Sequence, residues 1–219
     1  MLNHHWPLFG LRVRTPRLEL RLPDAEELAE LGDLAARGVH DPARMPFNHP
    51  WTDLPPAERA RSVLQYFWLS LGRWTAEDWS MLLGVFQDGT IVGLQEVCAK
   101  DFATLREVRT GSWLGLEHHG QGIGTEMRAA VLHLAFAGLG AEQARSGAFS
   151  DNPASLAVSR RLGYRPDGIH RLVVRGAPVT EHRLRLTRDQ WETGPQHAEV
   201  TVDGLAPCLP LFGFSQVGE

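Results

Sequence analysis

The chain is short of cysteine, of clustered basic residues and of long apolar runs, and each shortage removes a class of function. Two cysteines stand in 219 residues, Cys98 inside an apolar stretch and Cys208 in the tail, with no metal-ligand spacing around either. That excludes a disulfide framework and suits the reduced thiols of a cytoplasmic protein. Net charge is −4 at pH 7 and the basic residues are scattered, so neither a nucleic acid nor an anionic membrane is expected as a partner. No apolar run approaches the length that spans a membrane. Residues 1–11 carry two histidines and a proline but no basic segment ahead of an apolar core, so no secretory signal is expected. Nothing in the middle reads as a linker, and the length suits one domain over 1–219, its core at about 12–192 and a C-terminal arm at 193–219.

What is present is His119-Gly120-Gln121-Gly122-Ile123-Gly124-Thr125, with strand-like residues before it and a helical pattern after it. Alternate glycines let the backbone turn tightly and bring its N–H groups close to a ligand. The following helix adds unpaired donors and a positive dipole end. The stretch reads as an anion cradle suited to phosphate. It is not a P-loop, which needs Lys-Ser/Thr after the last glycine, and Met127 stands where a dinucleotide fingerprint has its third glycine. A glycine-rich turn without a ligand is the alternative.

The rest of the chain alternates accordingly. Residues 15–22 place Leu at every second position, a half-buried strand ended by Pro23. Asp24 caps a helix with Leu28, Leu31, Leu34 and Ala35 on one face, stopped at Gly38. Residues 39–56 form a loop with five prolines, Trp51, His40, His49 and Asp41, a composition that suits substrate contact. A second helix is predicted over 56–72, then strands at 80–86 and 91–99 around Gln87-Asp88-Gly89-Thr90, a strong hairpin signal. A strand at 106–116 leads into the glycine loop. The helix after it places Ile123, Met127, Ala130, Val131 and Leu134 on one side and ends at Gly138. A strand at 144–149, a helix entered at Asn152-Pro153 and closed by Gly163, strands at 169–174 and 180–186, a short helix ending at Trp191 and a strand at 199–202 complete the chain. This order is α+β with a mixed central sheet, and the hairpin just upstream of the loop argues against a dinucleotide-binding domain.

Asn152, Ser155 and Ser159 fall at i, i+3 and i+7, in the middle of a face that also holds Leu156, Val158 and Leu162. Buried hydroxyls need partners, so this face meets backbone carbonyls or a partly polar ligand. Alternatively Asn152 only caps and the serines bond back to the preceding turn.

Thr15-Pro16-Arg17-Leu18, Gly111-Ser112-Trp113-Leu114, the loop at 119–124, and Asn152-Pro153-Ala154-Ser155 through Leu162-Gly163-Tyr164 resemble, in order and spacing, the GCN5-related N-acetyltransferases (GNAT). The nearer likeness is to the RimJ/RimL branch, which acetylates ribosomal-protein N-termini. Lys100-Asp101-Phe102, Gly111-Ser112-Trp113-Leu114-Gly115 and the run 122–131 resemble an actinobacterial subgroup that includes a mycobacterial protein regarded as a succinyltransferase.

The resemblance implies a GNAT fold: a mixed sheet of about seven strands, four main helices, and a V-shaped splay between the fourth and fifth strands that takes the pantetheine arm of acetyl- or succinyl-coenzyme A. Trp113, Leu114 and Gly115 would pair with that arm, and His119, Gly120, Gln121, Gly122, Ile123, Gly124 and Thr125 would hold the pyrophosphate. Asn152, Ser155 and Ser159 would approach pantetheine and sulfur. His119 departs from the Arg or Gln usual there, giving less charge support. The implied reaction is acyl transfer to a primary amine, on a small molecule or on a protein N-terminus, by direct attack in a ternary complex. The oxyanion would meet a backbone N–H near Leu114, and Ser159 would donate to the leaving sulfur.

The general base is expected to be Glu107 or Asp101, since Arg109 holds the position where the branch often has a carboxylate. Arg109, Arg106 and Lys100 offer cations for the free carboxylate of a succinyl donor. Asp41 and Trp51, with the turn at Gly176, are the expected acceptor contacts. Pro7-Leu8-Phe9-Gly10 recurs as Pro210-Leu211-Phe212-Gly213. These apolar arms suit the interface of a homo-oligomer, dimer or higher, or equally packing within the chain. A non-catalytic acyl-coenzyme A sensor on the same fold is the competing class, distinguished by whether a competent base is present.

Overall fold

The computed structural model describes residues 2–194 and 199–214; part of the expected arm, 195–198 and 215–219, lies outside them. After a short helix α1 (Leu2–His5), the first strand-like stretch forms two strands, β1 (Arg12–Arg14) and β2 (Glu19–Arg21), rather than one. The Thr15 N–H donates to the Leu18 carbonyl and the Leu18 N–H to Thr15 Oγ1, which folds the chain back, and Pro16 in that turn has no N–H for a ladder. Helix α2 (Ala25–Arg37) opens on a full capping box, Asp24 accepting from the Glu27 N–H and Glu27 from the Asp24 N–H. Asp24→Ala is expected to cost about 1 kcal/mol of stability by equilibrium urea unfolding. Helix α3 (Pro56–Gly72) follows the loop and packs on α2.

Strands β3 (Asp78–Gln87) and β4 (Thr90–Lys100) pair antiparallel over their whole length. Asp88 and Gly89 both have positive φ, 50° and 81°, the backbone of a two-residue hairpin turn whose twist matches the strands. A short helix α4 (Phe102–Leu105) leads to β5 (Glu107–Leu114), then α5 (Ile123–His133), β6 (Gln143–Phe149), α6 (Pro153–Arg161), the hairpin β7 (Arg165–Val174) and β8 (Ala177–Thr187), α7 (Arg188–Thr193) and β9 (Thr201–Asp203). Among the described residues the sheet has nine strands in the order β7-β8-β6-β5-β4-β3-β2-β1-β9. It exceeds the expected seven because the first strand is split and β9 pairs with β1. All neighbours are antiparallel except β5 and β6. The splay therefore opens between the fifth and sixth strands of this count. No described helix is long and apolar enough to cross a membrane.

The two apolar arms pack inside the chain. Leu8 and Phe212 are fully buried, and Phe212 meets Trp79 at 4.9 Å and Trp74 at 5.6 Å between ring centroids.

Candidate active site

Strands β5 and β6 pair at Glu107↔Gln143, Val108↔Ala144 and Arg109↔Arg145, and then part. Beyond that point β5 stays paired with β4 and β6 with β8. The Gly115 N–H donates to the Val92 carbonyl on the β4 side at 3.1 Å. Strand alternation then turns the N–H groups of Leu114 and Ser112 the other way, into the gap. A cleft of about 1340 Å³ occupies the gap and extends under the 39–51 loop.

The glycine loop forms one rim. Gly120 and Gly122 have φ of 75° and 81°, and Gly122 stands as the N-cap of α5. Among the described residues the backbone N–H groups of Gly120 to Gly124 find no protein acceptor, so five donors surround one helix start. The His119 ring (Nε2) lies 3.2 Å from the Leu114 carbonyl, tying the loop to the end of β5. Arg17 bonds Glu126 and, at 3.2 Å, the Gln121 carbonyl, while Thr15 Oγ1 donates to Glu126 at 2.6 Å. The Thr15-Pro16-Arg17 motif thus braces the loop from outside and adds a cation beside it. Gln121 turns its amide back to the Glu117 carbonyl and, like Gly115, does not line the cleft. A Cβ at Gly115 would collide with Leu34, which accounts for glycine there.

Glu96 lies on β4 directly opposite Gly111. One carboxylate oxygen accepts from Tyr66 at 2.9 Å and from Ser80. The other, Oε2, passes over Gly111, where a Cβ would stand 3.0 Å away. Burial, and then the charge of Glu96, push the Tyr66 hydroxyl above its ordinary pKa, so it remains a neutral donor. Glu96, Gly111, Arg109 and Trp113 share the sheet face toward α3, since opposite residues of an antiparallel pair project to one side. The sequence reading missed Glu96. Its signal was there, a carboxylate inside the apolar run 91–99, but only the hairpin register brings it to the splay.

On the other face, Asn152 Oδ1 caps α6 by accepting the Ser155 N–H at 3.1 Å. Asn152 and Ser155 line the cleft, whereas Ser159 is fully buried and receives a bond from Arg128 Nη1 at 3.1 Å.

The other expected residues divide in two. Asp41, Trp51 and Arg109 line the cleft with Trp113 and Leu114, and Trp51 packs on Trp113 at 5.7 Å between ring centroids. Glu107, Asp101, Lys100 and Arg106 do not line it. Glu107 belongs to the part of β5 still paired with β6 and bonds Arg145 at 2.9 Å. Asp101 and Arg106 flank α4 with φ near 50°, and the Arg106 guanidinium sits 4.5 Å from the Phe214 ring centre. All four gather at the closed end of the strands, because the splay begins only after Arg109. The loop is held by the His40 ring, 2.7 Å from Thr52 Oγ1, and by Arg175 of the β7–β8 turn, which pairs with Asp53.

Cys98 also lines the cleft, but burial first, and then Glu96, push its thiol up to about 12. At pH 7 the thiol is then protonated, which does not suit a nucleophile. Cys208 is buried, its thiol raised to about 11. Iodoacetamide at pH 7.5 is expected to leave both unmodified in the native protein and label both in urea, read by intact mass.

A family model described as an acetyltransferase (GNAT) domain matches residues 17–165. Among solved structures, RimL, a ribosomal L7/L12 alpha-N-protein acetyltransferase in complex with coenzyme A, is 19% identical with a TM-score of 0.64, the match covering 80% of this chain and 97% of that one. Mycobacterium smegmatis RimJ in complex with a coenzyme A disulfide is 19% identical with a TM-score of 0.64, over 85% of this chain and 88% of that one. A chimera of the spermidine N-acetyltransferase SpeG from Vibrio cholerae is 15% identical with a TM-score of 0.64, over 81% and 99%. At these identities the solved structures speak for the fold.

Proposed function

Because the chain belongs to the GNAT acetyltransferase family, we propose that the cleft binds acetyl- or succinyl-coenzyme A and transfers the acyl group to a primary amine, on a small molecule or a protein N-terminus. The observation that carries this reading is the parting of β5 and β6 beside a loop of five unpaired N–H groups. The pyrophosphate sits on the loop, the pantetheine arm runs along Trp113 and Leu114 as an added strand, and the thioester carbonyl takes the Leu114 N–H.

Glu96 takes the role for which Glu107 and Asp101 were the sequence candidates. One of its oxygens is fixed by Tyr66 and Ser80, and the other lies over Gly111 in the lining of the cleft. The amine nitrogen attacks the thioester carbon, a C–N bond forms, and the proton lost from nitrogen goes to Glu96. As the C–S bond breaks, the electron pair leaves on sulfur, and Ser155, the α6 serine that lines the cleft, donates a hydrogen bond to it. A thiol with pKa ~8.5 needs no stronger acid. The protonation state of Cys98 disfavours an acyl-enzyme and favours direct attack. The acceptor enters past Asp41 and Trp51. A positioned carboxylate beside the reacting carbon favours an enzyme over an acyl-coenzyme A sensor. The test is release of free thiol from several acyl-coenzyme A donors against a panel of amines and peptide N-termini; binding of donor without release for every amine would favour the sensor.

A further inference from the structure

Arg128 is the buried group that this chemistry leaves unused. It lies on α5 with 6% of its surface exposed, and it lines the cleft. Its guanidinium bonds three hydroxyls, Ser159 on α6 at 3.1 Å, Ser112 on β5 at 3.2 Å and Ser146 on β6 at 3.4 Å, while Nε has no partner. Among the described residues no carboxylate pairs with it. Among the described residues the titratable group acting on it is Tyr164, whose own pKa is pushed up by burial, so Tyr164 stays a neutral phenol. A buried cation without a counter-ion is costly, and hydroxyls compensate its charge only in part. The site is built for an anion that the chain does not supply.

Its place says which anion. Arg109 and Arg145 are the last paired residues of β5 and β6; Ser146 follows Arg145 directly, and Ser112 stands on β5 between Arg109 and Leu114. The Arg128 head, bonded to both serines, therefore sits inside the splay, between its closed end and Leu114. On the acyltransferase reading, on which this inference rests, coenzyme A enters from the glycine loop at the open end and its thioester carbonyl reaches Leu114. Whatever extends past the carbonyl runs toward Arg128. An acetyl methyl would leave the guanidinium uncompensated, and an uncharged longer chain would desolvate it further. A carboxylate there would take two parallel N–H···O bonds. We propose that Arg128 receives the terminal carboxylate of the acyl chain, so that the donor is the coenzyme A thioester of a short dicarboxylic acid, succinyl being the four-carbon case. Arg106 and Lys100 lie outside the cleft, and Arg109, which lines it, is on the opposite sheet face, turned toward Glu96 and α3.

The test is calorimetric binding of coenzyme A, butyryl-coenzyme A and succinyl-coenzyme A, without acceptor, to the wild type and to Arg128→Met, Arg128→Lys and Ser112→Asp, each checked for cooperative melting. The wild type is expected to bind the succinyl thioester roughly 10- to 100-fold more tightly than the uncharged butyryl thioester, the worth of a buried charged hydrogen-bond pair. Arg128→Met should bring that ratio to one or below, and Arg128→Lys should keep part of it. Ser112→Asp, which supplies the guanidinium with an internal carboxylate, should abolish the ratio and raise the melting temperature, and it serves if Arg128→Met does not fold. A wild-type ratio near one, or a ratio that survives loss of the guanidinium, overturns the assignment. Coenzyme A binding with no succinyl preference removes only the role of Arg128, whereas failure of coenzyme A itself to bind removes the acyltransferase reading as well.

Discussion

Glu96→Gln is expected to lower kcat about 10²- to 10³-fold while the KM for the acyl donor changes less than about threefold, the loss typical of a positioned general base. The substitution keeps size and shape, and the amide oxygen still accepts from Tyr66 and Ser80, so the fold has no reason to change. What disappears is the oxygen over Gly111 that takes the amine proton. Tyr66→Phe should cost about tenfold, because the carboxylate loses one of its two donors but keeps Ser80. Glu107→Gln, which touches only the Arg145 pair outside the cleft, should stay within about twofold of wild type. Steady-state kinetics on the three variants decides between the carboxylates. A drop at Glu107 with none at Glu96 would return the base to the strand on which the sequence placed it.

Gly120→Asp should weaken coenzyme A binding by about 100-fold, with Gly120→Asn within about fivefold of wild type. A side chain at Gly120 meets nothing within 4 Å, and its φ of 75° is one that Asp and Asn tolerate better than other residues. Both variants should therefore fold, each at a cost of about 1 kcal/mol in backbone strain. They differ by one negative charge in the middle of the anion cradle. A carboxylate within ~5 Å of a pyrophosphate costs about 3 kcal/mol at an effective dielectric near 20. Calorimetric titration reads the difference directly. Equal affinities for Asp and Asn would show that the loop does not hold the phosphates.

The turn of the glycine loop was legible because its signal is local. Glycines at 120, 122 and 124 specify backbone conformation wherever they fall, and Asn152-Pro153 specifies a helix entry in the same way. The hairpin at Asp88-Gly89 was equally plain. Glu96 and Arg128 were not, for two reasons. Glu96 becomes a site residue only through the β3–β4–β5 register, which sets it beside Ser80 and over Gly111. Arg128 sits in a stretch of α5 buried without a break from Met127 to Leu132, so no amphipathic stripe marks it as inward or outward. The candidates chosen instead, Glu107, Asp101 and Arg106, share the right strand or its approach but sit before the point of splay, which no sequence period announces. The terminal arms show the same limit. Their apolar repeat is visible in the sequence, while burial of Leu8 and Phe212 against their own chain follows from long-range packing.

Direct transfer from a coenzyme A thioester to an amine is tested most simply by following the acyl group. The protein is mixed with isotopically labelled acyl-coenzyme A and a panel of amines, and both the small molecules and the intact chain are weighed by mass spectrometry. The expected result is a labelled amide on one or more amines, one equivalent of free coenzyme A for each amide, and an unmodified chain that includes Cys98. Label retained on Cys98, or bound donor with no amide from any amine, would contradict it.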